Sequence, residues 1–160
     1  MLKILSFIMI SAISTSLFGS NIDMQITKCK NEYEMENKIG NEQECLKVVK
    51  MIDGKFFGII KSDKKLSQAL HLAGMILNRK KDYKNASIMF KKSMKYGGLF
   101  GRFAQIELGA LYYYGYGVSK NYIKAYKLWK DVAMSNGNSE VALAQNNLDF
   151  LCKNHSWVCK

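Results

Sequence analysis

The sequence predicts an all-α fold, a short α-solenoid in which antiparallel helix pairs stack in series. Three observations point there. The 160 residues contain no proline, apolar residues recur at helical spacing, and one pattern of small and aromatic residues occurs twice. Runs of alternating valine, isoleucine and threonine, which would argue for a sheet, are absent. The length and a hydrophobic content of 48% suit one small domain.

Residues 1–20 read as a targeting signal. Lys3 supplies the charged start, Ile4 to Ile13 an apolar run, and Ser14 to Ser20 a zone of small residues. The expected location after its removal is the bacterial periplasm or the exterior. No later run is long enough to span a bilayer. Export also changes how the four cysteines are read, because an oxidising compartment lets them pair. Cys29 and Cys45 form one couple and Cys152 and Cys159 another, so pairing within each couple is favoured among the three connectivities. Closing the short terminal loop would contribute on the order of 2 to 3 kcal/mol by restricting the unfolded chain. Neither couple has C-x-x-C spacing and only His155 lies nearby, so no metal site is expected, nor any cofactor.

Residues 21–61 are expected to form a cysteine-containing N-terminal cap. Asn21 to Lys30 carries few core-forming residues and reads as a lead-in without fixed structure. Glu32 to Met51 is charged and helix-prone, with Tyr33, Leu46, Val49 and Ile52 as buried candidates and Gly40 as a break. Asp53-Gly54 marks a turn.

Residues 62–160 carry the repeats. In the first, Leu70, Ala73, Gly74 and Leu77 share one helix, and Ala86, Phe90 and Ser93 the next. Twelve residues separate Gly74 from Ala86 and sixteen separate it from Phe90. In the second, Ala104, Leu108, Leu111 and Tyr112 recur at helical spacing, and Gly109 leaves a gap where a neighbouring backbone can approach. Gly115-Tyr116-Gly117-Val118 reverses the chain, Asn121 caps the second helix of the pair, and Ala125, Leu128, Trp129, Val132 and Ala133 form an apolar stripe that Gly137 ends. Gly109 to Ala125 is four residues longer than Gly74 to Ala86, the excess falling in the Gly115 to Lys120 turn. A half-repeat comes last, because Ala144 to Leu148 echoes Ala104 to Leu108. Asp149 replaces the glycine there, so the last helix should cap the stack with a polar outer face.

The motif LG-x-LY-x-x-G-x-GV, followed by KA-x-x-LW and a terminal glycine, resembles the Sel-one-like repeat, a relative of the tetratricopeptide repeat. The resemblance covers about half the chain. It implies a stack of helix pairs that holds other proteins on a concave face lined by the first helix of each pair. Transferring the inner positions of the tetratricopeptide pattern gives Gln68, His71, Met75, Asn78 and Arg79 in the first repeat. The second gives Phe103, Ile106, Ala110, Tyr113 and Tyr114. An apolar and aromatic centre with a basic rim suits an extended or helical protein segment. Packing of Phe103, Ile106 and Tyr113 against neighbouring helices is the competing reading.

Charge narrows the partner. Between Lys61 and Arg102 eleven lysines and arginines face Asp63 and Asp82 alone. Losing Lys3 from the 24 basic side chains leaves 23 against 13 acidic ones, a formal charge of +10. Such a surface favours an acidic envelope or secreted protein, anionic lipid head groups or an anionic cell-wall polymer. No base-stacking or groove-reading motif accompanies the lysines, so nucleic acid is not expected. Arg79-Lys80-Lys81 falls in a turn, where solvated cations are ordinary.

Catalysis has little to stand on. His71 and His155 are the only side chains with unperturbed pKa near neutrality, and neither adjoins a nucleophile motif. Ser62-Asp63-Lys64-Lys65 spells S-x-x-K, and cysteine-bridged Sel-one-like relatives are often labelled β-lactam hydrolases. No S-D-N or K-T-G accompanies it. The expectation is an exported interaction scaffold, with a hydrolase or binder of β-lactam or cell-wall peptide as the alternative.

Overall fold

Leu66, Ala69, Leu70, Ala73 and Leu77 fall on one stripe of a 3.6-residue period, and burying that stripe makes Asp63–Arg79 a helix, α1. The computed structural model describes residues 24–31, 47, 50, 63–137 and 139–160. After α1 the chain turns through Lys80 and Lys81, the latter left-handed at φ 63°. Asp82 then accepts from the Asn85 N–H to start α2, Tyr83–Tyr96. Gly97 separates α2 from α3, Gly98–Tyr114, and a left-handed Gly115 ends α3. Asn121 begins α4, Tyr122–Ala133, its side-chain oxygen accepting from the Lys124 N–H at 2.9 Å as its place in the sequence predicts. Helix α5, Ser139–Asn154, and a 3-10 turn at Ser156–Val158 complete the chain. Among the described residues every element is helical.

Consecutive helices pack on one another, and α1 also packs on α3 and α3 on α5, whereas α2 and α4 do not approach. Helices α1, α3 and α5 therefore share one layer and α2 and α4 the other. Two adjoining cores result. Leu70, Ala73, Ala86, Phe90, Ala104 and Leu108 fill the first, and Ile106, Ala125, Trp129, Val132, Ala144 and Leu151 the second. Helix α3 is the wall between them, contributing Leu108 to one side and Ile106 to the other. Each fully buried Leu, Val or Phe contributes about 1.5 to 3 kcal/mol of transfer free energy, so losing this shared helix would open two cores.

The contacts obey the repeat legible in the sequence. A Cβ on Gly74 would lie 2.6 Å from Phe90 Cδ1, and one on Gly109 would lie 2.8 Å from Trp129 Cδ1, so the same gap admits an aromatic ring twice. Ala86 and Ala125, the small residues one turn before those rings, are both fully buried. Polar groups fasten the first pair. Ser93 Oγ donates to the Ser67 carbonyl at 2.7 Å, and Ser67 Oγ lies 2.9 Å from the Gly97 carbonyl that accepts its proton. Two hydroxyls thus enter the core with partners.

Two expectations are corrected. Helix α4 stops at Ala133 rather than at Gly137. Gly137 has another role: a Cβ there would meet the Glu140 carboxyl carbon at 2.8 Å. The bare glycine lets Glu140 accept from Arg102 Nη2 at 2.7 Å and Nε at 2.9 Å, tying the start of α5 to α3. Its own backbone N–H and the Arg102 guanidinium hold the Glu140 carboxyl below the usual carboxylate range. The second correction concerns the lead-in, because residues 24–31 are helical. Ile26 and Cys29, three apart, face inward together, and Cys29 packs on Leu72 and Ile76 of α1. The targeting signal, Cys45, Ser62 and most of the expected N-terminal cap lie outside the described residues.

Candidate functional site

The α1–α3–α5 layer presents the positions that the repeat pattern assigned to a groove. Aligning Gly74 with Gly109 pairs Met75 with Ala110, Asn78 with Tyr113 and Arg79 with Tyr114. Aligning Leu108 with Leu148 adds Phe150 beside Ala110. Of these, Arg79, Tyr114 and Phe150 are exposed, and Met75, Asn78, Ala110 and Tyr113 are half-buried.

One of the expected groove residues is closed off, and another is only partly open. Ile106 is only 3% exposed, and its carbonyl accepts from Trp129 Nε1 at 2.9 Å. A central helix flanked on both sides has less free circumference than a terminal one, so this inner position closes over. His71 sits among Phe90, Phe100 and Phe103, with ring centroids 5.9 to 6.2 Å away, and its Nδ1 is buried without a partner. Burial among these rings lowers its pKa to about 4. Gln68 and Phe103 are half-buried beside it in sequence register, Phe103 packing into the second core.

What the layer does bring together is a belt of rings where α3 and α5 end and α2 and α4 begin. Tyr83 stacks on Tyr116 at 4.7 Å, Tyr116 on Tyr114 at 5.3 Å, and Tyr114 meets Tyr113 edge-on at 4.9 Å. Tyr113 is the hub, reaching Tyr122 at 5.3 Å, Phe150 at 5.7 Å and His155 at 5.7 Å. Desolvation, then the neighbouring Tyr122 and Tyr114 hydroxyls, push its phenol pKa up. Tyr122 in turn stacks on His155 at 3.9 Å, with Trp157 beyond it at 6.5 Å.

Backbone geometry builds this belt. A Cβ on Gly117 would meet Tyr83 Cβ at 2.7 Å, so the lengthened turn of the second pair lies against the start of α2 in the first. That contact sets Tyr116 over Tyr83. At the other end the Cys152–Cys159 disulfide, which pairs as the sequence spacing favours, closes the loop carrying His155 and Trp157. Cys29 is also disulfide-bonded. We expect Cys152→Ser/Cys159→Ser to unfold with a loss of about 2 kcal/mol, because the terminal loop gains freedom when unlinked. The mutant's exposed tryptophan should also become more mobile by fluorescence anisotropy; an unchanged anisotropy would mean that the ring contacts alone hold the loop.

The repeat pattern names Tyr113 and Tyr114 as groove positions and does not name Tyr83, Tyr116, Tyr122, Phe150, His155 or Trp157. The run Tyr112-Tyr113-Tyr114-Gly115-Tyr116 was the available signal, a density of tyrosine beyond what the repeat needs. Among the described residues no group of histidine, cysteine and carboxylate side chains could hold a metal, and no helix is long and apolar enough to cross a membrane. No protein-family model matches the chain, and no curated protein and no solved structure matches it.

Proposed function

We propose that this chain is an exported repeat scaffold of the Sel-one-like and tetratricopeptide-like kind, holding a segment of another envelope or secreted protein against its α1–α3–α5 layer. The observation that carries the reading is the double occurrence of one packing unit. Gly74, Ala86 and Phe90 in the first pair play the parts of Gly109, Ala125 and Trp129 in the second, in contact as well as in sequence. A helix pair of this kind cannot cover its own apolar faces, so pairs stack, and stacking leaves a continuous layer of first helices free for a partner. Asp149 supports the assignment of α5 as a cap: it is exposed and accepts from Gln145 Nε2 at 2.9 Å, where an inner repeat has glycine.

The layer offers surface to a partner. Tyr113, Tyr114, Phe150 and Arg79 present rings and a guanidinium, the side chains that dominate protein interfaces. A photo-crosslinking residue at position 114, introduced into the full chain in intact cells, should yield a protein adduct on irradiation. The same residue at exposed Lys91 on α2, in the other layer, should not. Adducts from neither position, or equally from both, would overturn the scaffold reading.

A further inference from the structure

Among the described residues, half of the conspicuous exposed apolar side chains gather in one place. Tyr114, Tyr116, Ile123, Phe150 and Trp157, each between 46% and 59% exposed, all belong to the end of the stack where the ring belt lies. Patches of this kind on a folded chain mark interaction sites more often than chance. Cations edge it. Lys84 carries the backbone nitrogen against which Gly117 rests, and Lys120 lies with its Cβ 3.0 Å from where a Gly115 Cβ would be. Lys124 Nζ sits 5.2 Å from the Tyr112 ring centre, and Lys81 precedes Asp82 in the turn. Lys81, Lys84, Lys120 and Lys124 are all exposed. The carboxylate among them, Asp82, is engaged by the Asn85 side-chain amide at 2.8 Å.

The rings also restrict what can bind. Tyr116 stacks on Tyr83 and on Tyr114 at interplanar angles of 18° and 19°, so its neighbours limit what can lie flat on it. A nucleobase or a sugar ring stacks on an open face, which the packed Tyr83, Tyr116 and Tyr114 rings offer less readily than clefts between ring edges. Clefts between ring edges suit aliphatic and aromatic side chains, and the lysine rim suits carboxylates between them.

We propose that the ring belt is the docking surface for an acidic protein segment whose aromatic or aliphatic side chains alternate with aspartate or glutamate. It rests on the scaffold reading and assigns that scaffold its contact point and the chemistry of its partner. The apolar side chains seat against Tyr114, Tyr116 and Phe150, and the carboxylates meet Lys84 and Lys120. Rim charges act mainly on encounter, so association slows with added salt while the seated rings hold dissociation slow.

The test uses the full mature chain, oxidised, with a short fluorescein-labelled peptide alternating glutamate with phenylalanine and leucine. Control peptides replace every glutamate by glutamine, or every apolar residue by serine; polyglutamate and phosphatidylglycerol vesicles are further probes. The expected result is anisotropy-detected binding of the first peptide that weakens roughly tenfold or more with either control. It should weaken similarly in Tyr116→Ser and in Lys84→Glu/Lys120→Glu, a surface pair that leaves the core alone. Amide shifts on binding should fall at Tyr83 and Lys84, in the 114–124 segment and around Phe150. Shifts centred on Met75 and Ala110 with the belt silent would overturn this inference and leave the scaffold reading standing. Equal binding of polyglutamate would overturn it in favour of charge alone, and vesicle binding without peptide binding in favour of a membrane surface. Binding of no probe also overturns it, and a photo-crosslinking residue at Met75, in the layer but outside the belt, then decides the scaffold reading separately.

Discussion

Gly109→Val should destabilise the fold by about 3 kcal/mol and lower Tm by roughly 10 °C. At Gly109 the indole of Trp129 occupies the space a side chain would take, with Cδ1 and Cε2 at 2.8 and 2.9 Å from a Cβ. Trp129 is 3% exposed, and its Nε1 is anchored on the Ile106 carbonyl, so the ring has no direction in which to retreat. Displacing it loses that hydrogen bond, worth about 1 kcal/mol, and forces α3 and α4 apart. The gain in helix propensity from replacing glycine, below about 1 kcal/mol, offsets only part. Gly74→Val against Phe90 should behave alike, because the packing unit is the same. The cycle with Trp129→Leu is the decisive control. Shrinking the ring makes room, so the double mutant should be more stable than the sum of the single losses predicts. If Gly109→Val melts within about 2 °C of the parent, the two helices are not in the close contact described.

These glycine–aromatic pairs were legible because they are local. Gly74 with Ala86 and Phe90, or Gly109 with Ala125 and Trp129, is a relation between neighbouring helices whose spacing the chain itself records. The Asn121 cap and the Cys152–Cys159 pairing were legible for the same reason. What failed is non-local. Gly137 looked like a helix end because glycine often is one, yet its smallness serves an ion pair between Arg102 and Glu140, thirty-eight residues apart. Arg102 was counted among surface cations on the same grounds. Residues 24–31 looked structureless because two buried side chains, Ile26 and Cys29, make a weak pattern until α1 supplies the surface that receives them.

The ring belt shows the limit most clearly. Tyr83, Tyr116, Tyr122 and His155 come from four separate places, and each alone is unremarkable. They meet because alternate helices end at one side of the stack and because the lengthened turn lies back on α2. Transferring groove positions from a repeat pattern names Tyr113 and Tyr114, which stand on the belt's inner margin. It cannot weigh which inner positions a flanked helix closes over, so it leaves groove and core both open for Ile106, which stands in the core.

The same repeat alignment supplies the second large prediction, at His71. Pairing Gly74 with Gly109 sets His71 opposite Ile106, so the position that holds a histidine in one pair holds a buried aliphatic in the next. His71 lies in an environment built for the latter, its Nδ1 without a partner and three phenylalanine rings around it. Desolvation takes its pKa from 6.5 to about 4, so the folded state stays neutral where the unfolded chain takes up a proton. Stability is therefore full above pH 6.5 and falls as the pH drops from there toward 4, by on the order of 3 kcal/mol, because the unfolded state binds the extra proton. His71→Ile should remove that slope. It should also hold or raise stability at pH 7, since it replaces an unsatisfied buried nitrogen with a group the site already accepts in the second repeat. Glu107, whose carboxyl burial pushes up, acts in the opposite sense over part of this range, gaining stability as the pH falls. Glu140, held below the usual range, contributes stability that is lost only below its unfolded value of 4.5. Both terms are common to the two proteins, so the difference between their urea-unfolding free energies from pH 7 to 4.5 isolates the histidine. Parallel curves would mean that His71 is solvated in the folded state and that the phenylalanine enclosure does not exist.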